Sequence, residues 1–288
     1  MKKASFDNIL IGFAFSPNLK ANVFEAMRMA TFFGGNLFFL HVGEKTGAKE
    51  KTFGEILNDS PVRPKEIKIL WEKGEPVTTI VSECKKNNID LLLLGALQRE
   101  NMVKFYLGSI ARKITRKAPC SVLLLIKPSI ERVASQHMVV NAFESPQTEA
   151  TICAAFEFAH GLDIPRITLV EEINRAEVAV AADDDRSLRK VTLRKEKLKR
   201  RELSRVNDIL GRVPEDLKAN RKVASQSIFG TRGYSIGHYA KVVRADLLVM
   251  NAKEKHSSIW SRIFPKDLEH ILSELPTDVL IIQNKSNE

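Results

Sequence analysis

Short continuous apolar runs alternate along this chain with stretches that are apolar at every third or fourth position. Residues 9–15 form the first run, closed by Ser16-Pro17-Asn18. An apolar run of that length between turn signals predicts a strand buried on both faces. Residues 19–33 hold no Gly or Pro and set Val23, Ala26, Met27 and Ala30 on one helical face, and Gly34-Gly35 stops the helix. The alternation continues with strands at 37–42 and 66–71, a weak helix near 53–57 and a firmer one at 75–87. The four leucines ending at Gly95 predict a fourth strand, the amphipathic run after Gly108 a helix, and 122–126 a fifth strand. Right-handed crossovers turn that order into an open parallel sheet covered on both sides, an α/β fold.

The pattern then repeats. Residues 138–146 mirror 9–17 at a constant offset of 129, and Gly74, Ile80, Asp90, Pro119 and Leu123 recur as Gly230, Ile236, Asp246, Pro276 and Leu280 at offsets of 156 or 157. Two copies of one unit in tandem account for this, with domains at 1–131 and 132–288. The offset grows by 27 after the second copy's second strand at 166–170, so that copy carries an insertion. The insertion opens with Asp183-Asp184-Asp185, acidic residues suited to a helix start. A long helix follows, with an intermittent apolar stripe of Leu188, Val191, Leu198, Val206, Ile209 and Leu210.

Charge changes the picture in one place. The chain's net charge is +10, and residues 186–205 contribute ten Lys or Arg against two Glu, or +8 of it. Such a helix could meet nucleic acid or an anionic membrane, or could be a solvated face whose Leu and Val pack on the domain. No aromatic residue is interleaved to stack bases or anchor a bilayer, which favours the packed and solvated face. Elsewhere, 44% apolar and 28% charged residues are those of a soluble globular protein. The chain has no apolar run near the ~18 residues that span a bilayer and no secretory apolar region at its start, so a cytoplasmic location is expected.

Cys84, Cys120 and Cys153 lie far apart and outside CxxC spacing, which predicts buried structural thiols rather than a disulfide framework or zinc site. The histidines lack HExxH spacing, so no metal is expected; His41, at a strand end, is expected to be satisfied by a hydrogen bond. Asp90 and Asp246, just before the fourth strands, are expected to be structural, closing the preceding helix turn.

The stretch 95–109 carries the chemistry. A parallel strand ends at Gly95, the chain loops, and Gly108-Ser109 opens a helix whose free N–H groups can receive a phosphate. The same residues would equally make an empty turn and a capped helix. FGTRGYSIG, with Gly230, Gly233, Gly237 and Arg232, is a weaker candidate for a small anion. No GxSxG, P-loop or close Ser-His-Asp grouping is present.

GALQRENMVKFYLGS resembles the nucleotide loop of the universal stress protein family, two glycines separated by two residues and then Gly-Ser or Gly-Thr nine residues on. Gly95, Gly108 and Ser109 fall on that pattern, and Gln98 stands where the second glycine belongs. APCSVLLLI resembles the family's end-of-domain segment. The resemblance implies five-stranded parallel α/β domains that bind ATP in some members and no nucleotide in others. Val42, Gly95, Gly108, Ser109 and Ile110 match positions lining the family's site, while Ala14 replaces the aspartate that contacts the nucleoside. In the second copy Asn251, Glu254 and Phe264-Pro265 or Pro265-Lys266 replace the loop's key residues, so no ATP is expected there.

The resemblance therefore implies a non-enzymatic stress-response or signalling protein with at most one weak ATP or AMP site, in the first domain, and an unknown protein partner. A slow ATP hydrolase or phosphate transferase at the same loop is the enzymatic alternative, and an anion-binding adaptor using the helix at 186–205 is another. The family's domains pair through their last strands, so the two copies are expected to form an intrachain pseudo-dimer, with further oligomers open.

Overall fold

The computed structural model describes residues 6–98, 105–177, 184–252 and 266–283. In the first half β1 (Asn8–Gly12), α1 (Leu19–Phe33), β2 (Asn36–Val42), α2 (Gly47–Asn58), β3 (Glu66–Glu72), α3 (Pro76–Lys86) and β4 (Leu91–Gly95) follow in order. A two-strand hairpin, β5 (Leu97–Gln98) with β6 (Phe105–Tyr106), leads to α4 (Ser109–Lys117) and β7 (Ser121–Leu125). The second half runs β8 (His137–Asn141), α5 (Thr148–Leu162), β9 (Arg166–Asn174), α6 (Asp185–Leu210), α7 (Glu215–Lys218) and β10 (Lys222–Gly230). It closes with α8 (Tyr234–Val242), β11 (Leu247–Asn251), α9 (Lys266–Ser273) and β12 (Asp278–Ile282).

All strands but the hairpin join one ten-stranded sheet in the order β10-β9-β8-β11-β12-β7-β4-β1-β2-β3. Each half supplies five parallel strands, and the halves meet where β12 pairs antiparallel with β7, Leu280 opposite Leu123. The expected end-strand pairing is thus present, and two apolar edges cover one another.

Both faces of the sheet are buried because successive side chains alternate. Ile9, Ile11, Leu91 and Leu93 enter one core, and Leu10, Leu92 and Leu94 the other. The first core runs through both halves, with Phe6 edge-on to Phe158 at 5.3 Å and Phe33 at 5.2 Å from the same ring. The connection between halves is held by α1: buried Arg28 donates to the carbonyls of Ser129 and Ile130, and Glu25 accepts from the Ser129 amide at 3.1 Å.

The two repeated aspartates are structural, though not as helix terminators. Asp90 accepts from the Asn8 amide at 2.9 Å, and Asp246 from the amides of Gln136 and His137 at 2.7 and 2.9 Å. Each carboxylate fastens the start of its half's first strand to the start of the fourth. Cysteines 84, 120 and 153 are buried free thiols. Cys84 and Cys120, distant in sequence, meet in a hydrogen bond that, with burial, pushes the Cys84 thiol upward.

The insertion helix α6 is a 26-residue rod begun by a capping box between Asp184 and Ser187. Its second half packs as expected, with Glu202, Val206 and Ile209 buried. In its first half Val191 and Leu198 of the expected stripe are half-buried, but Leu188 departs from it at 53% exposed, as does Leu193 outside the stripe at 66%.

Candidate functional site

In the first half the chain moves outward from β1 through β2 and β3, then returns to place β4 on the other side of β1. Such a reversal opens a crevice at the carboxyl ends of the central strands. Gly95 ends β4 exposed in that crevice, and half-buried Val42 ends β2. A side chain at Gly95 would meet Asn22 of α1, whose Oδ1 lies 3.5 Å from the position of the missing Cβ. Asn22 Oδ1 is itself buried without a hydrogen-bond partner. Sequence reasoning missed Asn22, because one polar residue in a helix carries no local signal.

Gly108 is the N-cap of α4 in extended conformation and brings no side chain to cap the first turn. By contrast α2 is capped by Thr46, α3 by Glu75 and α6 by Asp184. The α4 turn, with Ser109 and Ile110 exposed, is therefore open to an anion in the way an N-terminus without its own cap allows. The chain between Gly95 and Gly108 is not a bare loop, however. Gln98 pairs with Phe105 in the hairpin, so the residue replacing a glycine supplies a strand position. The hairpin is also tied to the other half, with Leu275 N donating to Phe105 O at 3.1 Å and Leu107 N to Leu272 O at 3.3 Å. From α4, Arg112 and Arg116 reach Glu269 of α9.

At the end of the crevice away from Gly108, Ala14 is exposed, and its neighbours Phe13 and Phe15 belong to a cluster of aromatic rings. Phe13 stacks on Phe53 with centroids 4.3 Å apart, and Phe15 lies 6.3 Å from Trp71 at 23° between planes. His41 sits between them, its Nδ1 3.1 Å from the Phe13 carbonyl and its Nε2 buried without a partner. Lys45 lies over Trp71 and Lys49 over Phe15, at 6.0 and 5.7 Å. Phe15 and Trp71 are half-buried, so this end offers ring faces and cations in place of a carboxylate. The cluster draws on the loop after β1, on β2 and β3, and on α2, which is why sequence spacing did not assemble it.

The second half fills the matching space from within. Glu171 and Glu172, at the positions of His41 and Val42, are 5% and 2% exposed. Glu172 accepts from the amides of Gly233 and Ile236 at 2.9 and 2.8 Å. Two N–H groups of the FGTRGYSIG cluster are thus held by the protein's own carboxylate, which counts against the anion site considered there. Arg232 lies 3.6 Å over the Phe143 ring. Arg205 of α6 bridges the Ala142 carbonyl, Glu171 and, through Nε at 2.9 Å, Glu202. Burial raises Glu171 to about 8 against the pull of Arg205. Asn251, replacing the strand-ending glycine, donates to Ser145 Oγ at 2.9 Å. Glu254 and Phe264-Pro265 lie outside the described residues.

Among the described residues no group of three or more His, Cys, Asp or Glu is placed to hold a metal, and no helix is long and apolar enough to cross a membrane.

Comparison with known proteins centres on the same segment. Residues 60–125, which include Gly95, Gly108 and Ser109, match the model of the universal stress protein family. A curated universal stress protein of Methanocaldococcus jannaschii is 32% identical over 59 residues, 20% of this chain and 35% of that protein. The match thus spans about a third of that relative's length. Among solved structures, a functionally unknown protein from Pseudomonas aeruginosa PAO1 has a TM-score of 0.69 at 14% identity, with 98% of this chain and 94% of the other covered. A universal stress protein from Archaeoglobus fulgidus gives 0.66 at 13%, covering 98% and 99%. The cytoplasmic domain of a prokaryotic cation chloride cotransporter gives 0.52 at 14%, covering 100% and 98%. At these identities the likeness is one of fold, and it extends over both halves.

Proposed function

We propose, from the premise that the chain carries a universal stress protein domain, that it is a non-enzymatic stress-response or signalling module. Its two domains, 1–131 and 132–288, differ in role: the first holds one weak adenine-nucleotide site, for ATP or AMP, and the second holds none. The observation that carries this reading is the asymmetry of the two crevices. In the first, Gly95 and the α4 turn behind Gly108 stand open beside the unpartnered Asn22 Oδ1. In the second, Glu172 takes the available N–H groups and Arg205 closes the strand end. An internal carboxylate there would repel a phosphate.

Weak binding is expected for two reasons. The side chain of the exposed Ala14 cannot accept hydrogen bonds from a ribose or base, and Gln98 stands where the family's loop has a glycine that lets phosphates approach the backbone. Stacking on Phe15 and Trp71 would supply the base-end contact.

The test is to denature the purified protein, look for released nucleotide by chromatography, and then titrate ATP and AMP into nucleotide-free protein. Gly108→Val is the control, since extended backbone at Gly108 accepts a valine without strain. Saturable binding of one nucleotide per chain, weakened in the variant, is the expected result. No binding of either nucleotide would remove the site and leave function to the protein's surfaces.

A further inference from the structure

The first part of α6 presents a rigid row of cations to solvent. At 100° per residue, Arg186, Arg189, Lys190, Arg194, Lys197 and Arg200 fall within roughly 140° of arc and extend about 21 Å along the axis. All six are exposed. Among the described residues only Arg200 has a carboxylate near it, Glu196 at 3.8 Å. The opposite face holds the helix in place: Glu202, Val206 and Ile209 are buried, Arg205 is bonded to Glu171, and Lys195 and Lys199 lie 5.6 Å over Phe229 of β10. The cations therefore point outward from a docked rod, and like charges three and four residues apart repel one another along it.

We propose that this face docks the phosphate backbone of double-stranded nucleic acid, without sequence preference. Charge complementarity decides the partner's sign, since the region carries +8 of the chain's +10. Geometry decides its class. Side chains three and four apart on a helix are spaced ~5–6 Å, which sets several cations along one duplex phosphate strand. A bilayer would need an apolar face to bury, and here Val206 and Ile209 face the sheet, leaving Leu193 as the one apolar residue within the cationic arc. With no aromatic residue between 185 and 210, base stacking contributes nothing and the contact is to the backbone.

The experiment measures binding of the full chain to a fluorescent mixed-sequence duplex of about 25 base pairs, from ~50 to ~200 mM salt. The expected result is log K falling linearly with log salt at a slope of about −4 to −5, as for about five phosphates contacted. The fourfold variant Arg189→Gln, Arg194→Gln, Lys190→Gln, Lys197→Gln should lose about a hundredfold at ~100 mM salt and most of that slope. Its circular dichroism and melting curve establish that it is folded. Absence of duplex binding at ~50 mM salt, undiminished binding by the folded variant, or capture by phosphatidylserine vesicles with no duplex binding would each overturn the proposal.

Discussion

The Ile126 amide donates to the Asp278 carboxylate at 2.8 Å, and its counterpart 157 residues on, the Gln283 amide, donates to Ser121 Oγ at 3.2 Å. The two contacts are related by the pseudo-twofold that passes between β7 and β12. Each extends the antiparallel pair by a side chain where the backbone ladder stops, but one copy uses a hydroxyl and the other a carboxylate. Burial raises Asp278 to about 7, outweighing the Ile126 hydrogen bond.

That difference makes the junction sensitive to pH. The folded chain keeps a proton on Asp278 that the unfolded chain releases near pH 4, so its contribution is full below pH ~4 and is lost as pH rises through ~7. Asp278→Asn keeps an acceptor for Ile126 and cannot ionise. The variant should melt higher than the parent at pH 8, by a few kcal/mol at most, and no higher at pH 4. Melting temperatures across that range decide the matter, and an equal gain at both ends would show that ionisation is not the cause.

Arg205 performs at the second strand end what His41 performs at the first, donating to the carbonyl of the first strand's extension, Ala142 O in place of Phe13 O. It also neutralises Glu171 and Glu202, both nearly fully buried. Arg205→Met should cost about 3–5 kcal/mol in urea unfolding at pH 8 and less at lower pH, where Glu171 takes up a proton. Adding Glu171→Gln should recover part of the loss. A double variant no better than the single one would mean that packing of α6, rather than charge, is what Arg205 supports.

The base end proposed for the first crevice can be tested by gain. Ala14 is exposed at the carboxyl edge, with Lys45 and Lys49 on neighbouring rings. A hydrogen bond to a charged acceptor contributes about 1.5–3 kcal/mol, so Ala14→Asp should tighten ATP or AMP binding roughly tenfold or more. Trp71, half-buried beside Phe15, provides a fluorescence readout that titration calorimetry can check. Unchanged affinity would place the nucleoside away from Ala14.

The fold was legible because both copies repeat its buried strand runs, such as 91–94 and 247–250, although the helix-ending Gly34 at φ 62° is matched by Asp163 at φ 57° in the second copy. The pairing of β7 with β12 was legible only through the resemblance to universal stress proteins, whose last strands pair, and it covers two apolar edges. Of the candidate site, sequence spacing alone brought together Gly95, Gly108 and Ser109, the end proposed for phosphate, because they are close in sequence. Its other parts come from distant segments, Asn22 from α1 and Trp71 from β3, and the filling of the second crevice likewise joins distant residues, Glu172 reaching the amides of Gly233 and Ile236. The hairpin at Gln98 was hidden because two-residue strands carry no periodicity, and its hold on Leu275 depends on the two halves being joined. For α6, periodicity gave the helix and its inward stripe but not the exposure of Leu188 within it.

The cation row on α6 should cost stability in the absence of a partner. Each like-charged pair three or four apart is unfavourable by ~0.2–0.5 kcal/mol, and Arg186/Lys190, Lys190/Arg194, Arg194/Lys197 and Lys197/Arg200 are such pairs. Neutralising Arg189, Lys190, Arg194 and Lys197 to Gln should therefore stabilise the chain by about 1 kcal/mol at low salt. The gain should shrink toward zero at ~1 M salt, where the Debye length is ~3 Å. A docked helix transmits this gain to global unfolding because Val206, Ile209 and Arg205 couple it to the sheet. Hydrogen exchange of the α6 amides should slow in the same variant. If exchange slows while the global midpoint stays fixed, the first turns of α6 open independently of the sheet, and the row of charges costs the helix alone.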